Sequence, residues 1–405
     1  MLPLRSAPLV ELNHSPERRK GETMQKHINM LREFSVPLIS GVIVALIWAN
    51  LDAGSYHHFT HARLIGPTSF HFIVNDMFMA LFFGIAAVEI TQSCIPGGDL
   101  HPLGRAVNPL LATFGGVAGP VIVYLGLNAI MGDSSLARGW GIPTATDIAL
   151  AWLFASLVFG RRHPAISFLL LLAIVDDAIG LAIIAMFYSD PSQPVELLWL
   201  LMVAAGMGIA YLLRRRKAAS YWPYIIFGGG MSWLGLLLAH LHPALALVFI
   251  VPFLPHPPRE SKHMFEEDPR DRSTLATFEH EWKVVVDLGL FAFGLANAGV
   301  RFEGVGSATW LVLASLVVGK TVGILVMGMV GKKLGYPLPA KVGLKELFLI
   351  GLIAGIGLTV ALFVAGEAFT EPVIQGAAKM GALLSGGCGL LAIALGSLWG
   401  IKRIG

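Results

Sequence analysis

Asp176 and Asp177 stand side by side at the end of an otherwise apolar stretch, Leu172-Ala173-Ile174-Val175-Asp176-Asp177. Asp147 closes a second motif, Thr144-Ala145-Thr146-Asp147, and Lys320 follows Gly319 in a third apolar run. Carboxylates in such surroundings bind cations or exchange protons, and an ammonium among them balances their charge. A carboxylate that titrates beside a second charge is what a proton-handling site needs. Whether these four groups share a site depends on where the chain carries them.

The chain is 405 residues long, 55% hydrophobic and only 14% charged, against about 25% charged in ordinary globular chains. Its mean hydropathy is +0.70. With 29 basic and 26 acidic residues it cannot wet the surface of a soluble protein of this size, so it reads as an all-α polytopic membrane protein with the lipid bilayer as its surroundings. A net charge of +3 implies no nucleic-acid partner. Cys94 and Cys388 both lie in or beside apolar stretches and suggest no disulfide framework.

Residues 1–35 are polar and carry Arg5, Arg18, Arg19, Lys20, Lys26 and Arg32. No short apolar core with a cleavage site follows them, so they read as a cytoplasmic tail rather than a signal peptide, with Met24 or Met30 as alternative starts. About twelve apolar runs follow, at roughly 36–50, 70–93, 106–130, 140–160, 164–188, 195–213, 219–239, 242–255, 284–300, 307–330, 343–368 and 373–400. Alternate connecting segments hold 24 Lys and Arg residues on one side and only Arg63, Arg138 and Arg301 on the other. Positive segments stay in the cytoplasm, so both termini are expected inside.

Arg161 and Arg162 mark one inner turn; Asp147 lies 14 residues before the first and Asp176 lies 14 after the second. At 1.5 Å per helical residue both are roughly 21 Å from that turn, close to half the full bilayer, roughly 20–22 Å. Lys320, 12 residues before Lys332, is roughly 18 Å in by the same rise. Three carboxylates and one ammonium therefore share a level near the midplane. Asp176 and Asp177 point about 100° apart on a helix, so one can face an aqueous cavity while the other turns to Lys320. The remaining charges within apolar runs are Asp76, Glu89, Asp287 and Lys379. Lys379 reads as an interfacial lysine reaching back to water, while Asp76 and Asp287 fit an interfacial or a functional role equally.

Two runs carry helix breakers. Gly141-Ile142-Pro143-Thr144-Ala145-Thr146-Asp147 places a proline and two β-branched threonines mid-span, and Ala354-Gly355-Ile356-Gly357-Leu358-Thr359 repeats the interruption ten residues beyond Lys345. Interrupted spans in corresponding positions of two halves point to an inverted-repeat transporter with its site at the midplane; glycines that simply let helices pack closely are the other account of the second break. Crossed half-helices expose facing dipole ends, for which Asp147 suits the positive ends and Lys320 the negative ones. His57, His58 and His61 have metal-like spacing but read as solvated loop residues.

Gly139-Trp140-Gly141-Ile142-Pro143-Thr144-Ala145-Thr146-Asp147-Ile148-Ala149, followed by Leu172 to Asp177, resembles the NhaA-type sodium/proton antiporters. Asn75-Asp76 with Glu89, Leu241-His242-Pro243-Ala244-Leu245, Ala296-Asn297-Ala298-Gly299-Val300, Gly319-Lys320 and Gly355-Ile356-Gly357-Leu358-Thr359 match as well, in the family's order. The resemblance runs from about residue 36 to the C-terminus. It implies twelve spans forming one transmembrane domain over 36–405, with inverted repeats at about 106–188 and 307–400 and a bacterial inner-membrane location. It implies Asp177 as the principal cation-binding carboxylate, with Asp176 as its partner, linked to Lys320 and involved in proton exchange. Thr146 and Asp147 would belong to the broken fourth span and to the cation- and proton-binding set, Asp147 also offsetting the dipoles, and Glu89, His242 and Asp76 to pH response or the ion funnel. No cofactor is implied beyond the transported Na⁺ or Li⁺ and H⁺, and a homodimer is one arrangement the resemblance allows.

The chain also departs from the family. Glu89 is followed by Ile90-Thr91-Gln92-Ser93 where relatives carry a charged cluster; Glu266, Glu267, Asp268, Glu279 and Glu281 do not align cleanly with a regulatory glutamate; the ninth span reads two residues long and adds Asp287; and the segment between spans one and two lacks the alternation of a dimer-forming hairpin. The mechanism expected is competition: Na⁺ binds the ionised pair from inside, the repeats reorient, and protons displace it outside. A proton- or sodium-coupled carrier of a small organic anion is the alternative. An intramembrane aspartyl protease is disfavoured, because Gly355-Ile356-Gly357 is followed by Leu358 rather than an aspartate. A channel is disfavoured because no pore-lining repeat is visible.

Overall fold

A computed structural model describes residues 35–66, 68–96, 98, 100, 103–188, 194–256 and 273–404. The N-terminal basic residues and Glu266, Glu267 and Asp268 lie outside the described residues. The described residues are helical apart from one short ladder and the connecting turns. Among the described residues six helices are long and apolar enough to cross a membrane, and two bent pairs raise the number to eight.

The elements run as follows: α1 (Val36–Leu51), α2 (Ala53–His61), the antiparallel strands β1 (Arg63–Ile65) and β2 (Thr68–Ser69), α3 (Phe70–Cys94) and α4 (Leu103–Met131). A 3-10 helix, Ser134–Thr144, precedes α5 (Ile148–Phe159), and α6 (Pro164–Phe187) and α7 (Leu197–Arg215) follow. After α8 (Tyr224–Leu238) comes a second 3-10 run, Pro243–Phe253, and then α9 (Thr274–Asn297). The chain closes with α10 (Ser307–Lys333), α11 (Leu344–Ala354), α12 (Thr359–Ala368) and α13 (Pro372–Leu398).

Several boundaries differ from the sequence expectation for local reasons. The run at 242–255 is no α-helix, because Pro243 and Pro252 hold it in 3-10 turns. That form rises about 2.0 Å per residue, so a short run still reaches deep. α9 begins ten residues before the expected 284, capped by the Ser273 hydroxyl on Ala276 N–H; polar Glu279, Glu281 and Lys283 hid that half from a search for apolar runs. Between the first two spans, where the sequence lacks the alternation of a hairpin, the chain forms a helix and a short two-stranded ladder. His57, His58 and His61 thus sit on α2 rather than in a loop, with the His57 and His61 rings stacked 4.1 Å apart.

Polarity is arranged for lipid. Leu51, Ile122, Ile130, Leu201, Leu390 and Leu398 are exposed on the outside, while Asp147, Asp176, Asp177, Lys320 and Lys379 are buried. This inversion of the soluble pattern is what a hydrocarbon solvent requires. Glycines set the closest helix crossing: Gly115 and Gly119 of α4 meet Gly319 and Gly323 of α10, backbone against backbone, with no room for a side chain on either helix. α10 widens into a π-turn over Ser315–Lys320, an insertion that re-aims the side chain at its end, Lys320. The C-terminal residues fold back on the turn after α5, where Ile404 N–H donates to Phe159 O at 2.8 Å and Arg162 N–H to Ile404 O at 3.2 Å. The C-terminus therefore lies on the same side as Arg161 and Arg162.

Candidate functional site

The bent pairs meet at the centre of the fold. The Ser134–Thr144 helix and α5 turn 58° across an extended link, Ala145 to Asp147, and α11 and α12 turn 49° across Gly355 to Leu358. Pro143 leaves the helical region, which starts the first link. The two links are hydrogen bonded to each other: Asp147 N–H donates to Ile356 O at 2.7 Å and the Thr146 hydroxyl reaches Ala354 O at 2.9 Å. Behind the first link, Tyr124 Oη donates to Leu136 O, while Tyr188 Oη donates to Arg138 O and accepts from Gly141 N–H. These two buried tyrosines hold the 3-10 segment that the proline has loosened.

Four half-helix ends converge here, and their orphan backbone groups carry partial charge. Asp147 stands at both positive ends: its carboxylate accepts from Leu150 N–H at 3.0 Å, at the start of α5, and from Thr359 N–H at 3.3 Å, at the start of α12. Lys320 stands at a negative end, donating to Thr144 O at 2.7 Å. The same ammonium pairs with Asp176 Oδ2 at 3.0 Å, both side chains fully buried. Thr146 Oγ1 is also 2.9 Å from Asp176 Oδ2. Its one hydrogen is therefore shared between Asp176 and the Ala354 carbonyl.

Asp176 and Asp177 face different surroundings, as neighbours on α6 must. Asp176 turns to Lys320 and Thr146, close to Gly116 of α4. Asp177 turns to a narrow pocket lined by Phe82, Phe83, Ala86, Leu181 and Val360. Among the described residues no donor reaches Asp176 Oδ1 or Asp177 Oδ1, although both oxygens are buried. A buried carboxylate oxygen without a partner costs several kcal/mol unless a proton or a cation meets it. Two such oxygens on adjacent residues make a site able to take either.

The family model described as Na⁺/H⁺ antiporter 1 matches residues 26–399. The chain belongs to that antiporter family. A Pelobacter propionicus protein named Na(+)/H(+) antiporter NhaA 1 is 74% identical over 381 residues, covering 94% of this chain and all of its own. A Geobacter sulfurreducens relative of the same family is 70% identical over the same shares, and one from Jannaschia sp. is 42% identical over 93% of this chain and 98% of its own. A solved sodium proton antiporter from Methanocaldococcus jannaschii aligns over 92% of this chain and 98% of its own with a TM-score of 0.49 and 16% identity. Members of the antiporter 1 family are secondary transporters rather than enzymes.

Charged and polar side chains gather in two further places. Near the C-terminal end of α3, half-buried Glu89 lies within electrostatic reach of Asp177, Lys283, Glu279 and Asp287. Gln92 donates to Glu279 Oε2 at 2.6 Å, and Lys283 pairs with Glu279 at 3.5 Å. Glu281 accepts from the Tyr221 hydroxyl. At the opposite end, His242 Nε2 lies 3.2 Å from Glu367 Oε1, with Asp76 in electrostatic reach of both. Sequence reasoning missed Glu367, because one acid at the end of an apolar run looks interfacial. Lys379 is not the interfacial lysine expected: it is 6% exposed, packed beside Gly366, and does not reach out to water. Asn75 and Asn297 form a reciprocal amide pair, with Asn297 Nδ2 donating to Asn75 Oδ1 at 2.8 Å.

Proposed function

We propose that this chain exchanges cytoplasmic Na⁺ or Li⁺ for external H⁺ by alternating access, with cation and protons competing for Asp176 and Asp177. The observation that carries the proposal is the pair of buried, unpartnered carboxylate oxygens on adjacent residues, one beside a buried ammonium and one facing a pocket. Sodium brings one positive charge to Asp177; protons do the same, and neither tolerates the other. The Thr146 hydroxyl supports this role for Asp176. When that carboxyl is protonated it donates to Thr146 Oγ1, and the threonine hydrogen goes to Ala354 O; when it is ionised, the hydroxyl has two acceptors for one hydrogen. Asp147 keeps the facing positive ends neutralised throughout.

The architecture proposed is twelve spans in one domain over 36–405, with inverted repeats at about 106–188 and 307–400. The six long helices, the two bent pairs, α1, α8, the 3-10 run and α9 make up the twelve. Both termini face the cytoplasm of a bacterial inner membrane, supported by the 24-to-3 distribution of basic residues. The ladder β1–β2 gives a second copy a strand edge on which to pair.

In everted vesicles carrying a respiration-driven ΔpH, Na⁺ and Li⁺ should each collapse the gradient, whereas K⁺ and small organic anions should leave it standing. Collapse by an organic anion in place of Na⁺ would favour the alternative carrier on this scaffold.

A further inference from the structure

Gly141 is held at both of its backbone groups. In a 3-10 helix the N–H of residue i+3 donates to the carbonyl of residue i, so Gly141 N–H and Arg138 O are the two ends of one step of the Ser134–Thr144 helix. The Tyr188 hydroxyl bridges them, accepting from Gly141 N–H at 2.8 Å and donating to Arg138 O at 2.8 Å. The fit depends on a glycine, because a Cβ at 141 would lie 2.6 Å from the tyrosine oxygen. On the carbonyl side, Thr144 Oγ1 donates to Gly141 O at 2.7 Å. Pro143 has no N–H to give the ladder and departs from helical geometry, so side-chain hydroxyls secure the turn that the proline interrupts.

The same turn presents the carbonyl that Lys320 uses. Thr144 O accepts from Lys320 Nζ at 2.7 Å, and that ammonium pairs with Asp176 at 3.0 Å. The bonds therefore close a loop. It runs from Asp176 on α6 to Lys320 on α10, to Thr144 and Gly141 on the 3-10 segment, and back to the end of α6 at Tyr188. All five residues are buried. Trp140 braces the join, packed edge to face on Phe187 with centroids 5.1 Å apart and tilted on Tyr188 at 6.4 Å.

We infer that Tyr188 is a positioning residue of the exchange: its hydroxyl, set in the 3-10 ladder, fixes the Thr144 carbonyl against Lys320 and so divides that ammonium between Thr144 and Asp176. While Asp176 is ionised it answers the ammonium directly. When a proton neutralises Asp176, the Thr144 carbonyl is the ammonium's other contact and its partial charge matters more. A carbonyl out of place therefore disfavours the proton-loaded state. Sodium then competes better from inside, and reloading with protons outside slows. The inference rests on the antiporter reading for this consequence, but not for the loop of bonds.

The test separates KM from maximal rate, both read as Na⁺-induced collapse of ΔpH in everted vesicles at one pH. Tyr188→Phe should lower the two together, KM by about fivefold, since a displaced bond forfeits part of the order of magnitude or more that outright loss of a hydrogen bond to a charged group costs. Gly141→Ala pushes the same hydroxyl out of the ladder and should give the same paired fall, and the double variant should go no further than either single one. Tyr56→Phe is the comparison. That hydroxyl donates to Leu295 O at 2.8 Å and accepts from Gly299 N–H at 3.2 Å, outside the Lys320 loop, and its loss should leave KM at the wild-type value. A rate loss in Tyr188→Phe at unchanged KM, or an equal KM fall in Tyr56→Phe, would reduce Tyr188 to a structural role and overturn the assignment. Unfolding in detergent gives a readout that needs no Na⁺: the losses of Tyr188→Phe and Lys320→Met should combine to less than their sum in the double variant. Strict additivity there would overturn the link whatever the exchange assay shows, whereas absence of exchange in wild type would count against the antiporter reading alone.

Discussion

Replacing Asp177 with Asn should abolish Na⁺-induced collapse of ΔpH in everted vesicles, to about 1% of wild type or less. Asn keeps the shape of the carboxylate and removes both its charge and its ability to carry a proton. A cation held in the pocket would then face apolar Phe82, Phe83, Leu181 and Val360 with nothing to balance it. Even the mildest membrane scale sets an uncompensated charge at about 2.5–3.5 kcal/mol, and each 1.4 kcal/mol is about tenfold in affinity, so the loss is roughly two orders of magnitude or more. Asp177→Glu, which retains charge and proton but shifts the oxygens, should keep measurable exchange with weakened Na⁺ affinity. Full activity in Asp177→Asn would remove Asp177 from the site.

The second large effect is on the fold. Lys320 and Asp176 are fully buried and 3.0 Å apart, and Lys320 also satisfies the carbonyl of Thr144 at the end of a broken helix. Lys320→Met leaves a buried carboxylate and a buried carbonyl without their donor, and breaking such a pair costs about 3–5 kcal/mol. Unfolding of the purified protein in detergent should show that loss. The double variant Asp176→Asn/Lys320→Met removes both charges and should recover most of it, because the penalty comes from the stranded partner rather than from losing the pair. Additive losses in the double variant would mean that the two side chains are not energetically coupled.

Sequence alone read the centre of this protein better than its edges, for physical reasons. The two helix breaks are visible because Pro143, Gly355 and Gly357 interrupt the chain locally. The charges Asp147, Asp176, Asp177 and Lys320 are visible because hydrocarbon makes any charge conspicuous. What escaped depends on partners distant in the chain. Tyr124 and Tyr188 look like ordinary aromatic residues until their hydroxyls are found on the 3-10 segment. Gly115, Gly119, Gly319 and Gly323 are four among 46 glycines, and only the α4–α10 crossing singles them out. Glu367 and Lys379 gain meaning from their burial at one end of the fold, which no periodicity reports. The N-terminal half of α9 and the 3-10 run escape because length and hydropathy, the quantities that find spans, assume apolar α-helices throughout.

In the proposed mechanism Na⁺ and protons exclude each other at one pair of carboxylates. Its most direct test is Na⁺ titration of the purified protein in weakly buffered solution, with binding and proton release followed together over a range of pH. Wild type should release at least one proton for each Na⁺ bound, its apparent Na⁺ affinity falling about tenfold per pH unit for each proton competed against at the acid end, while Asp177→Asn releases none. Sodium binding to wild type with no proton released at any pH would contradict the account.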